Sequence, residues 1–61
     1  MTVSKSLRFI PGQRVTSVRD ERAMIISYTH VSDTAAKSHK VLVRWAGSGD
    51  TGEYYEEVFR P

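Results

Sequence analysis

The sequence predicts an all-β fold, a small closed or nearly closed barrel of five short strands within 61 residues. Three observations predict it. Apolar residues come in short runs rich in β-branched and aromatic side chains, polar or glycine-bearing turns separate those runs, and no run repeats clearly with the helical period. Closure follows from size, because a flat sheet this small would leave long edges open and cover too little core.

Taken in order, Pro11-Gly12 is a turn signal, and Arg14-Val-Thr-Ser-Val18 follows as the first strand. Its two valines stand three apart, which predicts a bulge or a change of face there. Arg19-Asp-Glu-Arg22 is a polar connection into Ala23–Val31, the longest apolar-rich run, where alternation puts Met24, Ile26 and Tyr28 on the core side and Ile25, Ser27 and Thr29 outside. Ser32–Ser38 reads as a loop with room for one helical turn capped by Asp33. Lys40–Trp45 alternates cleanly, with Val41, Val43 and Trp45 on one face and Lys40, Leu42 and Arg44 on the other. Residues 54, 55, 58 and 59 fit one face of a helix as well as a strand, a 3₁₀ turn and a closing strand; the second reading is preferred, and a three-stranded sheet with a C-terminal helix is the competing architecture.

A chain of this length builds one domain with a thin stability margin, so self-association into a homo-oligomer is a natural support. Residues 9–61 are expected to form that domain, and residues 1–8 a flexible segment. There is no cysteine, which excludes disulfides and thiolate zinc sites, and His30 and His39 alone cannot close a four-ligand metal site. No cofactor is expected. Met1–Arg8 lacks the apolar core of a signal peptide and no run is long enough to span a membrane, so a cytoplasmic location is expected.

The net charge is only +2, but it is unevenly placed. Lys5, Arg8, Arg14, Arg19 and Arg22 face only Asp20 and Glu21 in the opening third, whereas Asp50, Glu53, Glu56 and Glu57 outnumber Arg60 at the end. Such polarity can steer a charged partner or pair two copies.

The order Phe9-Ile-Pro-Gly-Gln-Arg-Val15, Ala23-Met-Ile-Ile26, Val43-Arg-Trp45 and Glu57-Val-Phe59 resembles a minimal SH3-like barrel of the Tudor or KOW kind. It is most similar to the YodC-like family of short, uncharacterised bacterial proteins, with their Gly-x-x-Val strand, Met-bearing strand and tryptophan strand. The resemblance implies a small five-stranded SH3-like barrel over residues 9–60 and little chemistry, since such barrels host unrelated functions.

Four sites are weighed. Gly47, Gly49 and Gly52 match Gly-x-Gly-x-x-Gly numerically, but no βαβ unit has room to follow, so these glycines are read as a hairpin turn. Tyr28, Trp45, Tyr54, Tyr55 and Phe59 could line a Tudor-like cage for a methylated cation, yet a chain this small needs most of them as core. The preferred function is a non-catalytic module binding a protein partner through an exposed aromatic-acidic end, Glu53, Tyr54, Tyr55 and Glu56. The alternative is DNA or RNA binding by Arg14, Arg19, Lys40 and Arg44 as a basic stripe, with Trp45 stacking on a base. No spacing of Ser, His, Asp or Glu suggests catalysis.

Overall fold

A computed structural model describes residues 7–32 and 37–61. Five strands, β1 (Arg14–Ser17), β2 (Arg22–His30), β3 (Lys40–Trp45), β4 (Thr51–Tyr55) and β5 (Phe59–Arg60), form one antiparallel sheet in the order β4-β3-β2-β1-β5. A 3₁₀ turn, Glu56–Val58, links β4 to β5, so the strand-turn-strand reading of the chain end is the observed one and the C-terminal helix is absent.

The sheet is not closed into a barrel. Strands β4 and β5 are its two edges, and among the described residues no hydrogen-bonded ladder joins them. This corrects the expectation of an SH3-like barrel, and the Tudor, KOW and YodC-like resemblances go with it. Open edges are costly when long, but β5 is only two residues long and presents little edge. Rings cover the gap in place of a ladder: Tyr54 of β4 meets Phe59 of β5 edge-on with centroids 5.9 Å apart, and Trp45 lies 5.7 Å from Phe59.

Phe9, Val15, Ala23, Ile25, Val41, Val43 and Phe59 make the buried core, with Tyr28, Trp45 and Val58 packed against it. Fully burying an aliphatic side chain contributes about 1.5–3 kcal/mol, so Ile25, Val41 and Val43, all with no exposed surface, are the main apolar anchors. β3 alternates as expected. β2 does not: Ala23 and Ile25 point inward and Met24 stays 41% exposed. Ile25 opposes Val43 and Ser27 opposes Leu42, so Ile26 is an extra residue, and this bulge returns Tyr28 to the core side opposite Val41. In β1 the broken alternation is not a bulge: Val15 is buried, whereas Val18 lies beyond the strand and is exposed.

The turn from β1 to β2 is built on Ser17, whose Oγ accepts the N–H groups of Arg19 and Glu21 at 3.2 Å each, while Asp20 takes φ 64°. Asp is one of the few side chains that tolerates this left-handed region. The glycine loop is the expected hairpin turn: Trp45 N–H donates to the Asp50 carbonyl at 2.8 Å, and Gly49, at φ 76°, donates to the Trp45 carbonyl at 2.8 Å. The helical turn proposed at Asp33 falls outside the described residues. Of the segment 1–8, Leu7 and Arg8 are described, and Arg8 is tied down, its N–H donating to Glu56 Oε2 at 3.0 Å.

Candidate functional site

Residues directly opposite each other in a ladder project to the same face of a sheet. On the face away from the core, Arg14 of β1 opposes Met24 of β2, Met24 opposes Arg44 of β3, and Arg44 opposes Thr51 of β4. The two guanidinium-bearing residues thus stand two strand spacings apart, ~10 Å, with an exposed methionine between them. Arg22, opposite Thr16, adds a third cation beside this row. A concavity of about 550 Å³ is lined by Arg14, Arg22, Met24 and Arg44, with Trp45 and Gly49 also contributing. Among the described residues no carboxylate lies within ion-pair range of these three arginines.

A second row on the same face joins His30 of β2, Lys40 of β3 and Tyr55 of β4. The Lys40 ammonium lies 5.3 Å from the Tyr55 ring centroid, and Tyr55 remains 53% exposed. Between the rows, Leu42 opposes the exposed carboxylate of Glu53.

The structure therefore brings Arg14, Arg44 and Lys40 together on one face. Arg19 sits in the turn beyond the ladder and does not join the row. Trp45 belongs to the other face: it opposes Ala23, its ring packs on Phe59 and Tyr54, and its indole N–H donates to the Tyr54 hydroxyl at 3.2 Å. It is packed against the core and also lines the concavity. Arg22 and Met24 complete the face. Sequence reading set Met24 in the core because the bulge leaves no mark in the local pattern.

The aromatic-acidic end is not one surface. Tyr54 and Tyr55 project to opposite faces, as neighbours on a strand must, and Glu53 shares the face of Tyr55. Glu56, expected at the surface, is 1% exposed. Its Oε2 accepts the Arg8 N–H and the Tyr28 hydroxyl, and its Oε1 lies 4.0 Å from Arg8 Nε. The Tyr28 oxygen in turn accepts the Phe9 N–H at 3.1 Å. Glu56 N–H donates to the His39 carbonyl at 3.0 Å, and His39 Nδ1 accepts the Ser32 N–H at 2.9 Å. The His39 ring meets Tyr28 edge-on at 5.9 Å. Burial first, then the hydrogen bond to Glu56, raise the Tyr28 phenol above its ordinary value, while the Phe9 N–H opposes this.

A Tyr, a Glu and a His in one cluster invite a catalytic reading, but His39 and Glu56 are buried. Their hydrogen bonds tie the N-terminal arm and the 3₁₀ turn to β2. Among the described residues no group of three or more His, Asp or Glu is placed to hold a metal ion, and no helix is long and apolar enough to cross a membrane.

No protein-family model matches the chain, and neither the curated proteins nor the solved structures contain a significant match.

Proposed function

We propose that the protein is a non-catalytic binding module whose ligand is a nucleic acid held on the outer face of the sheet. One observation carries this reading: Arg14 and Arg44 share a register row on an open face, with Arg22 beside them and, among the described residues, no carboxylate within ion-pair range. Cations left without an internal partner at a concave surface favour a polyanionic ligand, because phosphate contacts release counterions. A protein partner at the aromatic-acidic end has less support, since burial of Glu56 and the opposed directions of Tyr54 and Tyr55 break up that surface. A cytoplasmic location goes with this reading, as nucleic acid is met there.

The test is an amide NMR titration with mixed-sequence DNA and RNA at two salt concentrations. Shifts clustered on the outer face of the sheet and weakened by salt are expected. Replacing Arg14 or Arg44 by alanine should lower the slope of log affinity against log salt by about 0.7–1 per residue. A spectrum indifferent to every nucleic acid would refute the proposal.

A further inference from the structure

We infer that the ligand is single-stranded, crossing the outer face from the arginine row to the His30, Lys40 and Tyr55 row, with Tyr55 as the platform on which a base stacks. This rests on the nucleic-acid reading above and goes beyond it by naming the strand state and the stacking residue.

Three features favour a single strand. Tyr55 presents a half-exposed ring beside a cation on the same face as the arginines, and base faces are open to a ring only where bases are unstacked. Met24 lies between Arg14 and Arg44, so an apolar side chain occupies the centre of the basic row, where a base or sugar fits better than a phosphate ridge. Lastly, among the described residues there is no α-helix to enter a major groove, the element by which many duplex readers reach base edges.

The path is constrained by charge. Arg44 and Lys40 are four residues apart on β3, ~13 Å, and Leu42 stands between them on the same face. Glu53 flanks Leu42 on the β4 side, so a phosphate chain is directed over β2 and β3 and away from the β4 edge. The face is short, and it suits roughly four nucleotides, the low end for a single small β domain.

Fluorescence anisotropy with labelled oligothymidylate, oligouridylate and a mixed-sequence duplex of equal phosphate number tests the inference. Single strands should bind at least about ten-fold more tightly than the duplex, and comparison of the two oligomers assigns DNA or RNA. Tyr55→Leu should cost single-strand affinity about ten-fold and leave the duplex unchanged, while Tyr55→Phe, which keeps the ring, should retain affinity. Glu53→Gln should strengthen single-strand binding. Circular dichroism confirms that each variant is folded. Equal affinity for duplex and single strand, or a folded Tyr55→Leu variant of unchanged affinity, would overturn this inference and leave the nucleic-acid reading standing; no binding to any of the three would overturn both.

Discussion

Two polar regions of this small sheet are built on opposite terms. At one end Tyr28, His39 and Glu56 meet beside the core with their partners inside the molecule, and among the described residues no buried side-chain nitrogen or oxygen is without a hydrogen bond. On the outer face Arg14, Arg22 and Arg44 are as polar but have no carboxylate partner among the described residues. The first arrangement stabilises, since a buried polar group is costly unless it is paired. The second contributes little to folding, so it is the region free to bind.

That contrast breaks most sharply at Glu56. Glu56→Ala leaves the Tyr28 hydroxyl and the Arg8 N–H without their acceptor, and should cost about 2–4 kcal/mol in urea unfolding, a large part of the stability of so short a chain. A loss below about 0.5 kcal/mol would show that the buried cluster is not structural. Tyr28→Phe removes one hydroxyl and should cost about 1–2 kcal/mol.

Tyr28 also sets a pH dependence. Its folded-state value lies above that of the unfolded chain, so the folded state holds this proton more tightly. The corresponding stability is complete below about pH 10, the ordinary tyrosine value, and is lost as pH rises through the raised value. In an ultraviolet titration Tyr28 should ionise above the ordinary tyrosine value, and Tyr28→Phe should flatten the alkaline decline.

A smaller effect is expected at Gly52. A Cβ there would stand 2.7 Å from a carbon of the Tyr54 ring, so Gly52→Ala must displace that ring and disturb its edge-on contact with Trp45. The loss should be about 1 kcal/mol, of the order of one aromatic pair, with a change in tryptophan fluorescence. The smallest change in stability belongs to the outer face: Arg14→Ala and Arg44→Ala should stay within about 0.5 kcal/mol of the parent protein while weakening nucleic-acid binding. A marked destabilisation by either would erase the distinction between the two regions.

Much of the local structure was legible because it depends on near neighbours. Val41, Val43 and Trp45 alternate with Lys40, Leu42 and Arg44, and that period of two is enough to define β3 and its faces. Positive φ at Gly49 suits the turn that the glycine cluster signals. The opposite directions of Tyr54 and Tyr55 follow from adjacency alone. Half of the candidate site was visible in the same way, since Arg44 and Lys40 fall on the outward side of a clear strand.

Other features depend on residues far apart in the chain. Bulging at Ile26 reverses the faces of β2 and puts Met24 outside, and it is defined only by pairing with β3. Burial of Glu56 needs Tyr28 and Arg8 brought to it from 28 and 48 residues away. The open sheet is likewise a matter of where β5 docks, against β1 and not β4, with rings rather than a ladder covering the gap.

By itself the sequence determined that the chain is all-β, which way β3 faces, and where its hairpin and closing turn fall, because backbone preference and side-chain alternation act over a few residues. Only the tertiary structure decided that the sheet stays open, that Glu56 is internal, and that Arg14 and Arg44 meet in one row, because register and edge pairing are set by contacts between distant segments.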